Sequence, residues 1–122
     1  MTTAAVVERL KARTKTFALT LITLYASLPK KTEAQVIGKQ LLRSGTSVGA
    51  QYREGCRAKS DADFVSKIEG CLQELEETIY WLEILGDANI CEPSILTNIL
   101  AEARELTAIF TTVALKVKGK RA

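Results

Sequence analysis

The side chains with the clearest chemical potential in this 122-residue chain are cations on one helical face. On a wheel of about 100° per residue, Lys39, Arg43, Arg53 and Arg57 fall on the same side. Arg53 and Arg57 stand four residues apart, a spacing that can grip neighbouring phosphates. Lys59 and the tail cations Lys116, Lys118, Lys120 and Arg121 extend the positive field. The chemistry on offer is non-specific contact with the phosphates of RNA or DNA. No aromatic platform of the RNA-recognition type accompanies these residues, so base readout has little support. The same strip has a simpler reading as a solvated or salt-bridged face, since Glu54 lies close to Arg43 on the wheel.

A carboxylate strip offers the complement. Glu69, Glu76 and Glu83 recur every seven residues beside an apolar seam, where acidic side chains commonly pair with Lys or Arg of another helix. A metal site is not expected, because carboxylate-bridged bundles draw on Glu-x-x-His and the chain has no histidine. Catalysis has no positive support either. Histidine is the commonest general base. Cys56, Cys71 and Cys91 lack an activating neighbour in sequence and read as structural thiols. Ser44, Thr46 and Ser47 read as helix-surface or packing residues. The expectation is a non-enzyme without cofactors.

These residues need helices to position them, and four amphipathic segments supply them. Val6, Leu10, Phe17, Leu21, Leu24 and Leu28 define the first, about 4–28, ended by Pro29. The second, about 33–57, opens on a capping-box pattern at Thr32 and Gln35 and buries Ile37, Leu41, Val48 and Tyr52. The third, about 61–85, opens on Ser60 and Asp63. Phe64, Ile68, Leu72, Leu75, Ile79 and Leu82 form its seam, and Gly86 is its expected stop. The fourth, about 93–117, starts at Pro93 and buries Ile95, Ile99, Ala103, Leu106, Phe110, Val113 and Val117. No strand-type alternation of useful length appears. Short connections favour antiparallel neighbours, so the expected fold is all-α, an up-down-up-down four-helix bundle forming one domain over 1–122.

Glycines mark the second helix. Gly38, Gly45 and Gly49 line a strip between its apolar and basic faces, and Gly55 follows. Each interior glycine costs a helix roughly 1 kcal/mol relative to alanine. Close approach of another helix is the expected reason; a backbone-exposed ligand groove is the sharper alternative. Gly45–Gly49 is no phosphate loop, since no Gly-Lys-Ser/Thr follows and no strand precedes.

Composition sets the remaining bounds. At 47% apolar and 25% charged residues, the chain is globular rather than disordered. The net charge of +3 conceals an uneven distribution. Residues 61–91 carry one basic and eight acidic side chains, and each of the other three quarters is net positive, which suggests pairing within or between subunits. An odd number of cysteines without a CxxC argues against a disulfide framework and for a reduced, cytoplasmic location. The apolar run Phe17–Leu28 superficially resembles a signal-peptide core but is too short to span a bilayer, and its pattern continues back to Val6. Trp81 and Ile84 point away from the third seam, while Leu19, Ile22 and Tyr25 broaden the first apolar face. This surplus suggests homo-oligomerisation.

Three segments carry a family resemblance: RSGTSVGAQYREG, RAKSDADFVSKI and LQELEETIYWLEILG, from about Leu41 to Gly86. Their order and spacing resemble a bacterial four-helix-bundle family. It includes proteins encoded in intervening sequences of 23S ribosomal RNA genes, with the accessory variability proteins of diversity-generating retroelements as relatives. The family's second helix usually ends in a pattern like SxGANIAEG. Val48-Gly49-Ala50-Gln51-Tyr52-Arg53-Glu54-Gly55 departs from it and places the chain in a divergent branch. The resemblance implies a ring-like homopentamer and a nucleic-acid or ribonucleoprotein role. The matching positions are Arg43, Ser44, Ser47, Gly49, Glu54, Gly55, Ser60, Phe64, Leu75 and Glu76, which read as structural or subunit-packing residues. Two functions follow as expectations. One is a nucleic-acid-associated accessory or scaffolding protein. The other is a structural or protein-interaction oligomer, with or without a separate protein partner, whose basic strip pairs with Glu69, Glu76 and Glu83. Neither involves a membrane.

Overall fold

The structure, a computed structural model, describes residues 4–121; the side chains of Lys120 and Arg121 lie outside the described part. It contains four helices: α1 (Ala4–Ala26), α2 (Thr32–Gly55), α3 (Asp61–Asp87) and α4 (Pro93–Arg121). No strand occurs among the described residues. The helix α2 meets α3 most extensively, α3 meets α4, and α1 meets α2, whereas α1 and α4 approach each other at few points. Leu21, Leu41, Val48, Ile68, Leu75, Leu82 and Leu106 are fully buried between the helices. Tyr52 and Phe110 tilt together across the core with ring centroids 5.3 Å apart. Among the described residues no helix is long and apolar enough to cross a membrane.

The helix ends show which local signals prevailed. The Ser60 side chain accepts the Asp63 backbone N–H at 3.1 Å and so caps α3. The expected Thr32 cap does not form. Thr32 is already helical, and Lys31 holds the cap position without a side-chain bond. Gln35 is engaged elsewhere: its Nε2 donates to the Pro29 carbonyl and its Oε1 accepts from the Tyr25 hydroxyl. Gly86 is likewise not the stop of α3. It remains helical, and Asn89 takes the left-handed conformation at φ 58°. The N–H groups of Asn89 and Ile90 close on the carbonyls of Gly86 and Leu85, the bonding pattern of a Schellman ending. Gly86 is small for a different reason. A Cβ there would sit 3.1 Å from Leu96 of α4.

The buried face of α3 is rotated from expectation, and that of α4 differs at its first position. In α3 the buried residues are Val65, Ile68, Cys71, Leu75, Thr78, Leu82 and Leu85, while Phe64, Leu72 and Ile79 lie half-buried at the flank. In α4, Leu96 is buried and Ile95 is exposed. Val6 and Ile37 are half-buried; the other expected core positions of α1, α2 and α4 are buried.

The glycine strip of α2 faces α1. A Cβ on Gly45 would fall inside the Leu21 side chain. On Gly49 it would sit 3.0 Å from the Thr14 hydroxyl, and on Gly38 2.6 Å from the Tyr25 ring. Thr14 is itself buried, its hydroxyl donating to the Leu10 carbonyl at 2.8 Å. The strip is therefore a helix-packing surface, and the alternative of an open ligand groove beside Gly45 and Gly49 is removed. Gly55 plays the same part against α3, where a Cβ would lie 3.1 Å from Lys67 Cβ.

Candidate functional site

The basic strip of α2 divides into two parts with different partners. Arg43 is paired: one Nη donates to Glu77 and the other reaches Glu74 at 3.5 Å, both on α3. Glu77 also accepts the Trp81 indole N–H at 2.9 Å. These bonds, Arg43 first and Trp81 second, hold the Glu77 carboxyl below its ordinary range, and Glu77 in turn raises the Arg43 guanidinium. Lys39 is exposed without an ion pair among the described residues.

At the last turn of α2 and in the connection that follows Gly55, the cations are open; Arg57 lies past the helix end, so its expected helical spacing from Arg53 is not kept. Arg53 makes one long contact, 3.5 Å, to the Lys11 carbonyl. Arg57 and Lys59 are exposed and have no carboxylate partner among the described residues. They lie where the start of α1, the α2–α3 connection and the end of α4 come together. Arg53 ties α2 to α1, and Lys118 ties α4 to α3 through Glu69 at 2.7 Å. Lys116 is exposed there; Lys120 and Arg121 follow it, with their side chains outside the described part. Residues 4–12, 50–67 and 112–121 together carry ten basic and four acidic side chains. Residues 19–40 and 80–100, at the other end, carry three and four. The positive field is thus a property of one end of the molecule rather than of one helix face.

That end is also indented. A cleft of about 240 Å³ opens between Val7 of α1, the last turn of α2 at Tyr52, Gly55 and Cys56, the connection Ala58–Ser60, and Asp61 and Phe64 of α3. Burial pushes the Tyr52 phenol well above its ordinary value, with the neighbouring Cys56 adding to the shift. The Cys71 thiol, whose Sγ donates to the Val48 carbonyl, is pushed up to about 12, chiefly by burial. Neither group is a ready anion at neutral pH. What the end can do is attract anions and hold a flat or apolar group in its cleft.

The acidic strip of α3 meets α4 rather than the basic strip of α2. Glu69 pairs with Lys118, and Glu83 lies 3.6 Å from Arg104. Glu76 is exposed, with no ion pair among the described residues. It borders an open groove of about 510 Å³ with Leu72, Gln73, Glu77 and Tyr80. Trp81 is half-buried, its ring edge-on to Tyr80. Among the described residues no group of His, Cys, Asp or Glu is placed to hold a metal ion, and the three cysteines are unbridged.

Sequence reasoning missed Arg9, Lys11 and Lys67 as part of this end. Lys11 contributes a carbonyl and a cation near Arg53, and Lys67 pairs with Glu54 at 2.9 Å. The signal was present in the positive quarter at residues 1–31. It gains meaning only once α1 starts where α2 ends.

An all-α, four-helix protein with one basic end is the class that fold and site define. The profile of the family described as 23S rRNA-intervening sequence protein matches residues 9–112, and the chain belongs to that family. It is also similar to a solved protein of unknown function from the S23 ribosomal protein family of Bacteroides thetaiotaomicron VPI-5482. The identity is 35% and the TM-score 0.81, over 85% of this chain and 96% of that one. No curated protein sequence matches the chain.

Proposed function

We propose that this protein is a non-catalytic accessory or scaffolding protein that contacts the phosphates of RNA or DNA through its basic end. It acts in the cytoplasm as a homo-oligomer of up-down-up-down bundles. The observation that carries the reading is the set of exposed cations without an ion pair among the described residues, Arg53, Arg57, Lys59 and Lys116, where three separate stretches of chain meet. Exposed Leu19, Ile22, Val36, Tyr80, Ile95 and Leu115 favour assembly. Binding of RNA and DNA oligonucleotides, compared between about 50 and 200 mM salt, tests the reading. Affinity should fall steeply with salt. Joint replacement Arg53→Ala with Arg57→Ala should weaken binding and flatten the salt dependence. Absence of binding at the lower salt sinks the proposal.

The second reading, a structural or protein-interaction oligomer, draws support from Arg43, Lys67, Arg104 and Lys118, which all pair with glutamates of the same chain. The unpaired Glu76 beside its open groove then becomes the assembly contact. Glu76→Lys should change the mass measured by light scattering, and an unchanged mass counts against this version.

A further inference from the structure

We propose that the cleft at the basic end receives an unstacked nucleobase, so that the preferred partner is single-stranded rather than duplex nucleic acid. The inference rests on the phosphate-binding reading and narrows it. Three observations carry it.

The first is the chemistry of the walls. Val7 and Phe64 supply apolar surface above the buried Tyr52, and Lys59, Ser60 and Asp61 supply polar atoms. Phe64 is half-buried rather than sealed in the core, because the buried face of α3 has turned past it to Val65 and Ile68. An aromatic side chain left partly open in a basic surroundings is the element on which bases stack without regard to sequence.

The second is size. At about 240 Å³ the cleft is smaller than the usual pocket for a drug-sized ligand, and suits one heterocycle without its sugar and phosphate.

The third is charge placement. Asp61 lines the cleft and makes no ion pair among the described residues. A carboxylate inside repels a phosphate and accepts a hydrogen bond from an exocyclic amino group. The phosphates flanking the base are left to Lys59, which borders the cleft, and to Arg57 beyond it. Ser60 has its oxygen committed to the Asp63 N–H but keeps its own O–H to donate. In duplex nucleic acid the bases are stacked and paired, and the cleft can take none of them.

Fluorescently labelled 15-mers of adenine, cytosine and uracil, as RNA and as DNA (thymine for uracil), are titrated beside a 15-base-pair duplex of each type. Single strands should bind about tenfold more tightly than duplex, with adenine and cytosine ahead of uracil because of the Asp61 carboxylate. Phe64→Leu keeps the apolar volume and removes the aromatic face. It should cost single-strand affinity about tenfold and leave duplex affinity and the salt slope unchanged. Ala58→Phe fills the cleft from the connection, outside the helices, and should do the same if Phe64→Leu proves misfolded by circular dichroism. Asp61→Asn should level the base preference. Equal affinity for single strands and duplex, indifferent to both cleft variants, overturns the base-binding inference and leaves phosphate contact standing. Failure of every oligonucleotide to bind overturns both. The RNA and DNA arms show which chain the cleft prefers.

Discussion

The middle of α2 and its end carry the same kinds of residue and meet different fates. Between Gly38 and Gly49, most positions are engaged: the glycines by α1, Ser44 by Thr78 of α3 at 2.9 Å, and Arg43 by Glu74 and Glu77, with Lys39 exposed beside them. Between Arg53 and Lys59, the apolar side is still covered, but the cations form no ion pair among the described residues. The helix itself ends between the two: α2 stops at Gly55, two residues short of the expected boundary, so Arg57 and Lys59 stand on the connection to α3. What changes is the neighbour: the middle of α3 sets Glu74 and Glu77 against Arg43, whereas the start of α1 and the tail of α4 bring further lysines and arginines. A basic residue on a helix is thus structural or available according to what lies across from it.

The largest effect should come from breaking the packed middle. Gly45→Val drives a branched side chain into Leu21, one of the fully buried residues. Overpacking of this kind costs roughly 3 kcal/mol, against a gain of about 1 kcal/mol or less in helix propensity. Thermal unfolding should show a large fall in midpoint. Gly119→Ala, where an added Cβ meets nothing within 4 Å, should leave the midpoint unchanged or slightly raised.

Next is the functional contrast between the two parts. Arg57→Ala should weaken oligonucleotide binding by about three- to fivefold and lower the salt slope by about one unit. Arg43→Ala should leave both unchanged, because its guanidinium is already held by Glu77. If Arg43→Ala weakens binding as much as Arg57→Ala, the division of α2 into two parts is wrong.

Much of this arrangement was legible in the sequence. The four helices, Pro93 at the start of α4, the Ser60 cap and the close approach at the glycines follow from periodicity and local chemistry. The failures have a common physical origin in neighbours that a single helix wheel does not contain. Phe64 and Val65 differ by one step on the wheel, and α2 and α4 together decide which is buried. Ile95 and Leu96 pose the same choice. Thr32 and Gln35 satisfy a capping pattern, but Tyr25 and the Pro29 carbonyl take the glutamine. Gly86 reads as a stop and serves instead as clearance for Leu96. Arg43 sits on the same strip as Arg53 and Arg57, yet only the three-dimensional pairing with Glu77 separates them. Glu69 and Glu83 face cations of α4, Lys118 and Arg104, rather than those of α2.

A smaller test concerns the polar contact inside the α2–α3 seam. Ser44 and Thr78 are both fully buried. Each hydroxyl also lies within reach of a carbonyl of its own helix, Ser44 of Leu41 at 3.3 Å and Thr78 of Glu74 at 2.7 Å; with one hydrogen each, one of the two donates across the seam and the other to its own helix. Ser44→Ala therefore leaves Thr78 a partner and should cost about 1 kcal/mol in denaturant unfolding. A double-mutant cycle with Thr78→Val should give a coupling of about 0.5 kcal/mol or more. A coupling of zero would mean that the seam is set by its leucines alone.

The smallest effect is the most direct view of the Arg43 pair. Both partners are substantially exposed, so the pair is worth only about 0.5 kcal/mol. Glu77 has its carboxyl value lowered in the folded protein, from an ordinary 4.5. Its stabilising share is therefore fully present above that ordinary value and is lost as pH falls through the lower, folded one. Arg43→Gln removes most of the shift, so wild type and variant should differ in stability at neutral pH and converge in acid. Trp81, the one tryptophan of the chain, donates its indole N–H to the same carboxylate and reports on it. Its emission should titrate with Glu77, and the midpoint should rise in Arg43→Gln. The same titration in Arg57→Ala should match wild type, since Arg57 lies past the end of α2, in the connection to α3. A midpoint that moves equally in both variants would mean that Glu77 senses the general field of the protein rather than Arg43 itself.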